Sequence, residues 1–408
     1  MTSNSTSTPD TVPSPGNRRR GAPLARYVFA ATLVRSADGG AVVAIVLLAQ
    51  ASGLPGSVAG LLGAAITAPH LLGPFIARRL DTARDGRKVI AASAVLHGVL
   101  LGAAAILLPI TWPPVAAALL FASGLFGPML TGGISSRLPA IAGPAQRSQR
   151  RAQSWDVASY GISGTLGPAA VAAIAATADP LTATLALAAA AVLGAGAVLV
   201  LPRHEPRDAT VEVPSPVRTL RLILSNGALR RTLGLTITVA FSVAALPIYA
   251  VTAAPMLGGA SAAGTLVAAY GAGNLLGSAG MMLRPLRGEA DRLTTALAVL
   301  VAATLTAVML APTLTTALVA FGLAGIGNAM FFAATLAARS EYAPAQSRGQ
   351  VFIWVGALKI AAGSAGTAAA GATITHAAWA PLALVSALTV IAATASIADR
   401  SRPRRSKP

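Results

Sequence analysis

The chain has 408 residues, 54% of them hydrophobic and 11% charged, with a mean hydropathy of +0.68 and a net charge of +18. A soluble domain carries about 25% charged residues, so this composition excludes a soluble globular fold and calls for an apolar solvent around most of the chain. The absence of cysteine excludes disulfides, thiolate metal sites and cysteine nucleophiles.

Residues 1–25 open with Ser, Thr and Pro, then Arg18, Arg19 and Arg20, and read as a disordered tail. They are not expected to be a signal peptide, because the apolar segment that follows is too long for one and no cleavage site succeeds it. Twelve apolar segments come next, each near the 20 or so residues a helix needs to cross a bilayer. They fall at 26–50, 55–78, 88–110, 114–136, 153–176, 181–202, 231–255, 260–283, 293–311, 314–338, 349–373 and 377–398. The polar, Pro-containing stretch 203–230 reads as a central loop between two six-helix halves, 26–202 and 231–398. Residues 399–408 form a basic tail. The fold expected is an all-α integral membrane protein of about twelve spans.

The loops alternate in charge. One set carries Arg78, Arg79, Arg84, Arg87 and Lys88, then Arg137, Arg147, Arg150 and Arg151, the basic run from 203 to 231, then Arg284, Arg287, Arg292, Arg339 and Arg348. The other set, around 52–57, 109–114, 178–180, 256–261, 311–313 and 376–381, has no Lys or Arg. Basic loops stay in the cytoplasm, which puts both termini inside a cytoplasmic membrane. The net charge is thus spread over loops that orient helices and meet anionic headgroups, and no nucleic-acid partner is expected.

The halves repeat weakly. Ser57 and Gly60 correspond to Ser261 and Gly264, Leu71, Leu72 and Gly73 to Leu275, Leu276 and Gly277, and Phe121 and Gly127 to Phe321 and Gly327. An even span count per half makes this a parallel repeat about an axis along the membrane normal.

Several motifs resemble those of the major facilitator superfamily over roughly residues 26 to 398. Between the second and third spans Ala77, Asp81, Gly86, Arg87 and Lys88 resemble its Gly-x-x-x-Asp-Arg/Lys-x-Gly-Arg-Arg/Lys motif, with Ala77 for the glycine and two extra residues. Arg35, Asp38 and Gly39 in the first span look like a segment of bacterial exporters similar to the enterobactin and macrolide efflux groups, as does Arg150-Arg-Ala-Gln-Ser-Trp-Asp156. Ser163, Gly167 and Pro168 are similar to the antiporter Gly-x-x-x-Gly-Pro motif. The resemblance implies two halves rocking about a midplane site, and a cytoplasmic gate in which Asp81 faces the start of the eleventh helix. The arginine of proton antiporters is missing from the fourth span, since 118–133 has no charge.

Ionisable groups inside spans are costly and mark function by default. Arg35 and Asp38 share a helix face, with Asp38 roughly 18 Å into the first span. They read as a proton-coupling pair, or as a static pair that lets the helix pack. Lys359, about 16 Å into the eleventh span, reads as a counter-charge for an anionic substrate, a second partner for Asp38, or a snorkelling lysine. Asp156 reads as a gate residue or as a carboxylate complementing the first turn of the fifth helix. Gly86, Arg87 and Lys88 belong with the gate, the two cations doubling as topology determinants. Asn274, Asn328, Tyr249, Tyr270 and Trp354 could line a substrate cavity or bond neighbouring helices, and His70 is similar. Gly167 and Pro168 are expected to bend their helix.

No nucleotide-binding motif is present, and no catalytic cluster falls within the spans. The expected function is therefore not enzymatic. It is secondary active transport without a cofactor: a monomer in the lipid bilayer that exports a small amphipathic metabolite or drug in exchange for protons. An importer on the same fold and a non-transporting membrane sensor are the alternatives.

Overall fold

A computed structural model describes residues 15–203, 212–259, 262–374 and 376–401. Among these residues every regular element is helical, and twelve helices are long and apolar enough to cross a membrane. They are α1 (Ala22–Ala51), α2 (Gly56–Thr82), α3 (Gly86–Leu107), α4 (Pro113–Ala142), α5 (Gln146–Thr177), α6 (Pro180–Leu199), α7 (Gly227–Leu257), α8 (Ala262–Leu283), α9 (Ala290–Met309), α10 (Leu314–Tyr342), α11 (Ala345–Thr373) and α12 (Ala380–Ser401). Only helices satisfy every backbone N–H and C=O within one segment in lipid, which is why apolar runs of this length fold this way. Leu96, Val99, Leu166, Leu193 and Ile391 stay exposed along the spans, as a lipid-facing surface requires.

Side-chain caps start several helices. Asp179 accepts from the Thr182 amide at 2.8 Å ahead of α6, Asn226 from Leu229 at 3.1 Å ahead of α7, and Thr313 forms a capping box with Thr316 ahead of α10. Proline interrupts others. α2 tightens into a 3-10 turn at Ala68–Leu72 around Pro69, α4 widens into a π-turn at Met129–Gly133 after Pro128, and α7 breaks before Pro247.

Several boundaries differ from the sequence reading. The first helix begins at Pro15, inside the stretch read as a disordered tail, of which residues 1–14 lie outside the described residues. α5 begins at Gln146 and α7 at Gly227, because their first turns carry arginines that a hydropathy reading discards but a helix accepts readily. The central stretch holds a short amphipathic helix, Pro216–Ser225, capped by Ser215. α12 runs on to Ser401, and 204–211 and 402–408 lie outside the described residues.

Two apolar cores fill the first six spans, one around Tyr27, Leu80 and Ile134 and one around Ile45, Ile66 and Leu120. The last six share a core around Val301, Phe321 and Leu382. The two sets meet where α5 packs on α8 and α10, and where α2 and the π-turn of α4 pack on α11. Gly167 sets one close crossing within the first set: a Cβ there would lie 2.8 Å from the Ser36 carbonyl oxygen of α1. The helix runs unbroken through Pro168, so this pair marks a close approach of α1 and α5.

Candidate functional site

The span centres bring a layer of polar groups together at mid-membrane depth. Arg35 of α1 and Asp156 of α5 form its best-satisfied part. An Arg35 guanidinium nitrogen lies 2.8 Å from Asp156 Oδ1, and both side chains are buried. Tyr27 donates to Asp156 Oδ1 at 2.6 Å and Ser135 to Oδ2 at 2.8 Å. Arg35 also donates to Ser135 at 2.7 Å and to Ser159, and its guanidinium lies 3.6 Å from the Tyr160 ring centroid. Buried charges persist when paired and hydrogen-bonded, and in this pair only the Arg35 Nε lacks a partner.

The reading that joined Arg35 to Asp38 is thereby corrected. The two residues leave the helix toward different partners, because α5 crosses α1 at Gly40 and Gly167 and delivers Asp156 to Arg35. Asp156 stands in the third turn of α5, too far in to be a first-turn dipole partner, and within the first six spans, not at the gate. Asp38 instead faces His70 of α2, with Oδ1 3.3 Å from Nε2. Gly127 of α4 makes room for this pair, since a Cβ there would stand 2.6 Å from Asp38 Oδ1 and collide with His70. Asp38 and Asp156 are the only carboxylates near the middle of a span among the described residues, and Asp38 is the one without an arginine beside it. Behind them His97 of α3 is fully buried. Ser123 Oγ donates to the His97 carbonyl at 3.0 Å, and His97 Nδ1 lies 3.2 Å from the Ser123 carbonyl oxygen.

Lys359 sits near the middle of α11. Its Nζ lies 3.8 Å from the Phe332 ring centroid and 5.9 Å from that of Tyr160, and no carboxylate among the described residues pairs with it, Asp38 included. Asn274 of α8 and Asn328 of α10 both approach the Tyr270 side chain, so these three gather between α8 and α10. Two other cavity candidates lie elsewhere. Tyr249 is buried in the apolar core of the last six spans. Trp354 donates to the Pro216 carbonyl at 3.0 Å and packs edge-on against Phe75 at 6.1 Å, which holds it against the short amphipathic helix.

At the basic end, the Asp81 carboxylate accepts from the backbone amides of Gly349 at 2.9 Å and Gln350 at 2.8 Å. It therefore joins the end of α2 to the first turn of the α11 helix, where the dipole favours an anion. Gly86 lies against the Arg137 guanidinium. Arg87 has a different task. It forks onto Asp85 and donates to the Leu199 and Leu201 carbonyls at 2.9 and 2.6 Å, closing the end of α6. Lys88 is exposed. Arg150 adds a second link between the sets, 2.8 Å from Glu341 and bonded to the Gly288 carbonyl at 3.1 Å. The sequence reading missed Arg339: counted among the loop arginines, it lies within α10, buried. Its place beyond the last long apolar run hid it.

A family model described as Major Facilitator Superfamily matches residues 27–321. The chain belongs to the major facilitator superfamily. Solved members share its fold at low identity. FucP in an outward conformation aligns with a TM-score of 0.72 and 16% identity, over 92% of this chain and 98% of that one. The human organic anion transporter MFSD10 aligns at 0.72 and 17%, over 92% and 99%. A bacterial homologue of the iron transporter ferroportin, outward-facing, aligns at 0.73 and 15%, over 93% and 100%. No curated protein sequence matches the chain significantly. Family and fold identify a multi-pass membrane transporter and not an enzyme.

Proposed function

We propose that this chain exports a small amphipathic molecule across the cytoplasmic membrane in exchange for protons, with the Asp38–His70 pair as the proton site. The single observation behind this reading is the contrast between the two midspan carboxylates. Asp156 is locked by an arginine, a tyrosine and a serine, whereas Asp38 has one titratable partner at 3.3 Å. A carboxylate facing an imidazole can share, gain or lose a proton within a physiological range, and a carboxylate facing an arginine cannot.

In this reading the basic end is cytoplasmic, and Asp81 and Arg150 hold it closed. The site then faces outward, where a proton reaches Asp38 and His70. Protonation removes the attraction between them, α1 and α2 relax against each other, and Asp81 releases α11 so that the halves rock. Cargo binds from the opposite side and the proton leaves inward. The first-span segment around Arg35 and Asp38 supports the outward direction through its likeness to bacterial exporters. Solved relatives include a fucose:proton symporter, and a proton-driven importer would use the same pair in the opposite sense.

Drug and dye accumulation in a bacterial host stripped of its own exporters tests the reading. Wild type should lower accumulation, Asp38→Asn and an uncoupler should each abolish the effect, and Asp38→Glu should retain part of it. Raised accumulation by wild type, collapsing with the uncoupler, would instead make the chain an importer.

A further inference from the structure

The seam between the halves carries more positive than negative charge. Tyr160 of the first six spans and Phe332 of the last six meet edge to face there, ring centroids 5.0 Å apart. Three cations surround these rings: Arg35 beside Tyr160, Lys359 over Phe332, and Arg339 with its guanidinium 5.9 Å from Phe332 and 5.7 Å from Phe352. Asp156 matches Arg35. Lys359 has no hydrogen bond or ion pair among the described residues, and Arg339, 2% exposed, donates only to Thr335 at 3.2 Å and leaves its Nε without a partner. A cation–π contact returns only part of the cost of dehydrating an ammonium or guanidinium ion, so two such groups on one seam favour an anion that the described residues do not supply.

We infer that the cargo is an apolar organic anion, its carboxylate received by Lys359 Nζ and its apolar body set against Phe332 and Tyr160. Arg339, nearer the basic end of α10, is the second cation that the anionic group meets when the seam opens on that side. This inference rests on the transport reading above and adds the charge class of what is carried.

Binding to the purified full chain in lipid nanodiscs tests it. The probes are matched carboxylate, amide and amine forms of phenyl, naphthyl and decyl compounds, read by calorimetry. At least one carboxylate should bind about tenfold or more tightly than its amide, the worth of one charge-assisted hydrogen bond. Lys359→Gln should erase that preference and Lys359→Arg should keep it. Equal or tighter binding of amides or amines, retention of the preference in Lys359→Gln, or no carboxylate binding in any series would overturn the inference. Proteoliposomes with an imposed pH gradient separate it from the reading beneath. A carboxylate bound through Lys359 but not moved by the gradient would sink proton-coupled transport and leave the anion site standing. Gradient-driven movement of neutral or cationic dyes without any carboxylate preference would do the reverse.

Discussion

Asp156→Asn should destabilise the protein far more than Asp38→Asn, although both remove one midspan carboxylate. Asp156 is inaccessible to solvent and holds Arg35 at 2.8 Å, with Tyr27 and Ser135 completing its shell at 2.6 and 2.8 Å. Removing one member of such a pair strands the other charge, which costs about 3–5 kcal/mol in buried sites. The asparagine keeps one acceptor oxygen, and Arg35 keeps Ser135, Ser159 and the Tyr160 face, so the lower end, about 3 kcal/mol, is expected. Asp38 has no arginine to strand, is partly accessible, and its loss removes an expensive charge, so a change within about 1 kcal/mol follows. The assay is reversible unfolding in mixed micelles of wild type, Asp156→Asn, Arg35→Gln, the double variant and Asp38→Asn. The double variant should cost about 2 kcal/mol less than the two single costs added together. Additive costs, or an Asp156→Asn variant as stable as wild type, would refute the argument that this pair is the structural anchor of α1 on α5.

Other outcomes follow from single contacts. Gly167→Ala places a Cβ against the α1 backbone and should cost about 1–3 kcal/mol in the same unfolding assay, whereas Gly164→Ala, which meets open space, should be nearly neutral. Asp81→Asn removes the anion at the α11 N-terminus, worth about 1 kcal/mol, and should raise thiol labelling of a cysteine placed at Ser136 about fivefold as the basic end opens. The Arg87 guanidinium and backbone amide hold the Asp85 carboxyl down at about 2. A depressed carboxyl contributes stability above its unfolded value, near 4, and loses it as pH falls toward 2. The thermal stability difference between wild type and Asp85→Asn should accordingly be constant near neutral pH and shrink only across that acidic window.

Much of the architecture was legible in the sequence because lipid imposes a simple rule. A run of about 20 apolar residues must be a helix, and twelve such runs give twelve spans whatever their packing. The contact of Asp81 with the start of α11 was legible for a related reason, since a short motif and a helix end both fix its position. Helix partners were another matter. Which face of α1 meets α5 depends on where small residues such as Gly40 and Gly167 let backbones approach, and single-helix spacing says nothing about the neighbour. That is why Arg35 and Asp38, one turn apart, were read together and yet bond to Asp156 and His70. Trp354 and Arg339 misled for the opposite reason. Trp354 of α11 bonds to a short helix in a stretch read as loop, and Arg339 extends a span past the point where hydropathy ends it.

The central claim is that the Asp38–His70 pair carries the coupled proton while the Arg35–Asp156 pair only holds α1 in place. Substrate-induced proton movement across proteoliposomes, followed with a lumenal pH dye, tests it most directly, using whichever compound the accumulation assay shows to be carried. Wild type and Asp156→Asn, the latter compared at equal folded protein, should both couple substrate flux to proton flux. Asp38→Asn and His70→Gln should move little or no proton with the substrate. Full proton coupling in Asp38→Asn, or its loss in a folded Asp156→Asn protein alone, would contradict the account.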